Sequence, residues 1–237
     1  MSPENYYLGW DVGGWNCDHN PNSRDAIVIL DQSLHLVGTP WRGNLRKTIN
    51  EAGSTREFLE ALFRLNQATL PEGPVAVILA IDTPLGFSEE FRALVNNLGA
   101  VGEVGKSQDN PYLFRQSEFR LFKRGWKPLS PVKDMIGSQA TKGMHVLGRF
   151  APRIERCGVW TDGAGFRAIE SYPTVCREAA SIKALRSRIN QKMPHSDIED
   201  ALTCALLASL FVTEPDSLEA PYPEVPVREG WIWVPKE

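Results

Sequence analysis

The chain has 237 residues, 42% of them hydrophobic, and a formal net charge of −3. That is enough for one large domain with a well-buried core. The near-neutral balance gives no global signal for nucleic acid or for a membrane surface, and no apolar run approaches the ~20 residues of a membrane span. The opening stretch MSPENYYLGW has neither a basic n-region nor an apolar h-region, so the expected protein is soluble and cytoplasmic. Four cysteines stand far apart with no CxxC pair, which argues against a disulfide framework or a structural zinc site.

In chain order, YYLGWDV reads as a first strand, and DAIVILD and LHLVG as two more joined through Gln32 and Ser33 in a tight hairpin. STREFLEALFRLN has the apolar spacing of an amphipathic helix, with Ser54 or Thr55 as cap. VAVILAIDTPLG is a continuous apolar run, the pattern of a strand covered on both faces, and it ends on Asp82. Residues 98–165 are rich in Gly, Pro and basic side chains and are assigned as an insertion, with a helix in GSQATKGMHVLGRF. FRAIESYP is a fifth strand carrying Glu170, SDIEDALTCALLASLF is the clearest helix, and the proline-rich residues 214–237 form a tail whose WIWV can add a short edge strand. Residues 1–213 are thereby read as one domain.

Asp11 sits inside an apolar strand, and a buried carboxylate without a partner costs several kcal/mol or takes up a proton. Asp82 repeats the problem. Glu170 on the fifth strand and Asp197 with Asp200 on the last helix complete a set, the latter two sharing a face through i, i+3 spacing. Carboxylates gathered in a cleft need cations between them, and oxygen-only ligation suits Mg²⁺ or Mn²⁺. Two such ions activate water and stabilise the leaving oxygen of a phosphodiester.

Each residue has a plainer role beside this one. Ser196 and Glu199 can form a capping box that leaves Asp197 at the positive helix end. Asp82 can cap the turn before Pro84, and Glu170 can pair with Arg167 or Arg177. His195 reads as an exposed residue ahead of the helix, and Trp126 as the one tryptophan suited to stacking on a base.

The order of these features resembles the RNase H-like superfamily near its Holliday-junction-resolvase branch, in which a D-x-x-D-A helix is matched here by Asp197, Asp200 and Ala201. GWDVGG, AIDTPLG, ESYPT and EGWIWVP are closer still to a family of predicted RNase H-like nucleases. The resemblance implies an α/β fold with a mixed five-stranded sheet, a three-strand antiparallel meander followed by parallel strands. It implies that Asp11 bridges two metal ions, that Asp82 and Asp200 hold one each, and that Asp197 or Glu170 completes the shell. The branch commonly carries Glu on the fourth strand, where this chain has the shorter Asp82. Resolvases cut two strands symmetrically as dimers, so a homodimer is the assembly implied, although no segment marks an interface.

Residues 115–156 hold ten Lys or Arg against three Asp or Glu, a local net of +7. Arg120, Lys123, Arg124, Lys127 and Lys133 are its candidate contacts to a nucleic acid or nucleotide phosphate. The leading expectation is a metal-dependent nuclease. The alternatives are a non-catalytic RNase H-like binding module and, less well matched because no phosphate loop is present, a phosphotransferase of the actin and sugar-kinase type.

Overall fold

A computed structural model describes residues 3–106 and 109–236. Ser107 and Gln108, inside the segment assigned as an insertion, lie outside the described residues, as do Met1, Ser2 and Glu237. The strands are β1 (Glu4–Asp11), β2 (Asp25–Asp31), β3 (Trp41–Gly43), β4 (Val75–Asp82), β5 (Arg153–Arg156), β6 (Val159–Thr161), β7 (Phe166–Ser171) and β8 (Ile232–Trp233). They form one mixed sheet in the order β3-β2-β1-β4-β7-β6-β5, with β8 on β7. β1 pairs antiparallel with β2 and parallel with β4; β4 and β7 are parallel, and β7, β6 and β5 run antiparallel in turn.

The α/β class and mixed sheet match the expectation, but among the described residues the sheet has eight strands rather than five. Three of them come from segments assigned as insertion or tail. β6 and β8 share the far edge of β7, β6 along residues 167–169 and β8 on its last two residues. LHLVG does not become a strand. The Asp31 carboxylate accepts the Ser33 and His35 amides at 2.8 and 2.9 Å, Leu34 takes a positive φ of 64°, and pairing stops after one bridge, Leu30 to Leu36. An Asp that bonds its own downstream amides favours a turn over a ladder. The third strand forms later, at Trp41–Gly43.

Helices cover both faces, and strand alternation decides what each face sees. Tyr6, Leu8 and Trp10 of β1, with Val77, Leu79 and Ile81 of β4, pack with α1 (Arg46–Glu51), α2 (Thr55–Leu65) and α5 (Gly137–Phe150). α2 starts where the sequence places it, with Ser54 Oγ accepting the Glu57 amide. The opposite parity, Tyr7 with Ile78 and Ala80, packs with α8 (Ser196–Thr213). Gly9 is required there. A Cβ on it would lie 1.8 Å from the Ala201 carbonyl oxygen, so only glycine lets α8 lie flat on β1.

The remaining helices are α3 (Glu89–Asn97), α4 (Gln116–Lys123), α6 (Pro173–Cys176) and α7 (Ala180–Ser187). Trp231, Trp233 and Val234 of the C-terminal segment are buried, and Trp233 Nε1 donates to the Gly158 carbonyl at 2.8 Å. Among the described residues no helix is long and apolar enough to cross a membrane.

Candidate active site

Asp11 and Asp82 are the last residues of two adjacent parallel strands and stand opposite each other in register. Both have the parity of the residues under α8, so both carboxylates leave the sheet on that side. This is the carboxyl end of the parallel strands, where open α/β sheets collect ligands. Asp11 and Asp82 line a cavity of ≈ 380 Å³ together with Thr83, Lys127, Gln139 and Tyr172. Asp200 lies one turn inside α8.

Burial pushes the Asp82 carboxyl up to about 8, with Asp200 and Glu170 adding repulsion and Arg177 opposing it. Burial, then the charges of Asp82, Asp197 and Asp200, hold Asp11 well above the usual carboxylate range. Asp200 is raised by burial and pulled back by Arg177. Little offsets that burial: among the described residues no hydrogen bond or ion pair reaches either carboxylate, and Arg177 alone draws Asp82 back down. Burial together with neighbouring carboxylates favours the protonated form.

The other acids of the set are each tied to an arginine. Arg177 donates through Nη2 to Asp200. Arg42 donates to Asp197 at 2.8 Å, and the Arg24 amide reaches the same oxygen at 3.0 Å. Glu170 is buried and gripped by both terminal nitrogens of Arg115 at 2.6 and 2.8 Å, with the Leu85 amide at 2.8 Å. Its partner is therefore Arg115, not Arg167 or Arg177. Parity explains this: Glu170 shares the face of Phe166 and Ala168, turned away from α8, while Ile169 faces α8. Arg115 also bonds Glu118 at 2.9 Å and the Glu229 carbonyl at 3.1 Å, which makes Glu170 part of a buried ionic brace.

At the start of α8 the cap is His195, whose Nδ1 accepts the Asp197 amide at 3.1 Å. The Ser196–Glu199 capping box does not form, because the helix begins one residue earlier than that motif requires and Glu199 pairs with Arg186 at 2.7 Å.

Two neighbours of the site carry no signal of their pairing in the sequence order. Asp25, at the head of β2, and Lys142 of α5 form a fully buried ion pair behind Asp11. Asp25 also accepts the Gly13 amide at 2.9 Å and the Leu45 amide at 2.7 Å, and Lys142 Nζ donates to the Gly13 and Gly14 carbonyls at 3.3 Å. The pair fixes the loop that follows Asp11. Gly13 is needed at this point, since a Cβ would meet the Arg24–Asp25 backbone at 2.8 Å. The burial of Lys142 did leave a signal: it recurs at i, i+4 with Val146 and Phe150, on the buried stripe of its helix.

The basic run of the sequence is not one surface patch. Arg115 and Lys142 are inside the protein, and Arg120 and Arg124 pair with Glu219 at 3.3 and 2.6 Å. Lys133 pairs with Asp134 at 3.1 Å, and Lys123 is exposed beside an aromatic hollow lined by Phe119, Phe122 and Trp126. Of the five candidate phosphate contacts, Lys127 alone lines the cavity of Asp11 and Asp82.

Among the described residues, no three His, Cys, Asp or Glu side chains are gathered as a ready metal cage. The chemistry of the donors nevertheless suits a hard cation: two carboxylates that, among the described residues, make no hydrogen bond or ion pair, and beside them the buried Thr83 Oγ1 with no hydrogen-bond partner. The fold and site thus define an α/β protein with a carboxylate cleft at the carboxyl ends of two parallel strands. No protein-family model, curated protein or solved structure matches the chain.

Proposed function

We propose that this chain is a metal-dependent phosphodiester hydrolase, a nuclease of RNase H-like fold acting on a nucleic acid or nucleotide. The observation that carries the reading is the register pair Asp11–Asp82, two carboxylates on one cleft wall that, among the described residues, no hydrogen bond or ion pair reaches and whose repulsion is only partly offset by Arg177. The strand order β3-β2-β1-β4-β7, with two antiparallel pairings followed by two parallel ones, supports the fold assignment. Mg²⁺ or Mn²⁺, when bound, supplies charge neutralisation of the carboxylates and a water made nucleophilic near neutral pH.

In this reading Asp11 and Asp82 hold the metal from the strand ends and Asp200 from α8. Asp197 is a positioning residue that fixes the first turn of α8 through Arg42. Glu170 fixes the wall of the cleft through Arg115 and the Leu85 amide rather than touching the reacting atoms. Lys127, which lines the same cavity, offers the cation for a substrate phosphate.

The test is incubation of the purified protein with Mn²⁺ or Mg²⁺ and labelled single-stranded, duplex and branched DNA and RNA, with Asp82→Asn in parallel. Cleavage by the wild type that Asp82→Asn abolishes is the expected result. Metal binding without cleavage of any substrate would instead favour the non-catalytic binding module.

A further inference from the structure

Three acids flank the Asp11–Asp82 pair, and each has an arginine, but the three arginines are held very differently. The Arg115 side chain is 1% exposed and makes four further contacts with Glu118, Glu229 and Glu170. The Arg42 side chain is 18% exposed and also donates to the Pro21 carbonyl at 2.8 Å. The Arg177 side chain is 44% exposed, and among the described residues its one hydrogen bond apart from Asp200 is a long one, 3.3 Å from Nε to the carbonyl of Pro173 four residues back. It is also near enough to Asp82 to oppose that residue's repulsion. Of the three, Arg177 alone can leave its acid without unmaking the fold.

We propose that Arg177 is a resident counter-ion of the cleft: it occupies Asp200 until a divalent cation displaces it, and the released guanidinium then grips the phosphate of the substrate. The inference rests on the metal-dependent reading above and adds a residue that the acid set lacks. An intramolecular cation competes at a high effective concentration, so it lowers apparent metal affinity by the strength of its own pair. A partly exposed pair is worth a factor of a few rather than orders of magnitude. Once free, a planar fork of donors beside a metal-filled carboxylate site matches a phosphate oxygen pair better than an ammonium does.

The two halves have opposite signs in one variant, which a merely structural role would not produce. With the full chain, Mn²⁺ uptake is followed by electron paramagnetic resonance, and inorganic phosphate is then titrated into the Mn²⁺-loaded protein. Arg177→Ala is expected to bind Mn²⁺ about three- to tenfold more tightly and phosphate about tenfold more weakly than the wild type. Arg177→Lys, which keeps the charge and loses the fork, is expected to restore Mn²⁺ affinity to within about twofold of wild type but not phosphate affinity. Arg177→Gln carries the same expectations as Arg177→Ala and keeps more of the side-chain stem if the alanine variant folds poorly. Unchanged or weaker Mn²⁺ binding in both charge-removing variants overturns the counter-ion role, and unchanged phosphate binding overturns the transfer to substrate. No Mn²⁺ uptake by the wild type or by any variant overturns the metal-dependent reading itself, and this inference with it.

Discussion

Asp11 and Asp82 face each other across the last register position of the β1–β4 pair, both on the side of the sheet that α8 covers. Among the described residues neither is in an ion pair, Arg177 only partly offsets the repulsion on Asp82, and the protein holds both carboxyls above their usual range. This relationship makes the site a source of instability in the metal-free protein, and its consequences are measurable.

Stability should fall as pH rises. Asp82 titrates at about 8 in the folded chain and near the ordinary ~3.9 when unfolded, so between these values the folded state binds the extra proton. Protonation stabilises, and the benefit is lost as pH climbs from about 4 to about 8. Asp11 and Asp200 are shifted in the same direction. In EDTA, Tm is expected to drop between about pH 5 and about pH 8, and Asp82→Asn should raise Tm at the upper end by the equivalent of roughly 2–4 kcal/mol. Differential scanning calorimetry across that range decides it, and a flat profile in the wild type would count against the raised carboxyls.

Divalent cations should reverse that penalty. Saturating Mn²⁺ at about pH 8 is expected to raise the wild-type Tm by several degrees, following RT ln(1 + [L]/Kd), and to leave Asp82→Asn nearly unmoved. Thermal melts with Mn²⁺ against Ca²⁺ and against salt of matched ionic strength separate site binding from general screening.

Glu170→Gln should damage the fold more than a lost cleft-wall carboxylate would. It weakens the bidentate grip on a buried guanidinium that Glu118 alone then balances. Breaking a buried pair costs ~3–5 kcal/mol, and in a chain of this size each kcal/mol moves Tm by about 2–4 °C. A Tm within a degree of wild type, with activity abolished, would return Glu170 to the reacting centre.

Lys142→Ala should behave like Glu170→Gln, because it strands Asp25 as an unpaired buried charge behind Asp11. The expected loss is again ~3–5 kcal/mol, and Lys142→Met with Asp25→Asn should recover part of it. Chemical denaturation of Lys142→Met, Asp25→Asn and their double variant gives the coupling.

Gly9→Ala tests how α8 reaches the site. The added Cβ would fall 1.8 Å from the Ala201 oxygen and 2.5 Å from the Ala205 nitrogen, so the helix must lift and carry Asp200 with it. Overpacking of this kind costs ~1–3 kcal/mol or more. Loss of Mn²⁺ binding in a chain that still folds is the expected signature, read from circular dichroism beside the metal titration.

The sequence alone determined the parts whose physics is local. The apolar run ending at Asp82, the capped helix after Ser54, the helix Gly137–Phe150 and the long α8 were all legible, because periodicity and caps act within a few residues. The anomaly of Asp11 and Asp82 was legible too, since a charge inside an apolar strand needs a partner wherever the strand lies. Tertiary structure decided who those partners are. Glu170 went to Arg115, 55 residues away, because its strand parity turned it from α8. The basic run dissolved into buried braces and surface pairs, since linear charge counts carry no information about direction. That Asp11 and Asp82 meet at one register position depends on β4 joining β1 in parallel, a pairing between segments 71 residues apart that only the closed sheet specifies.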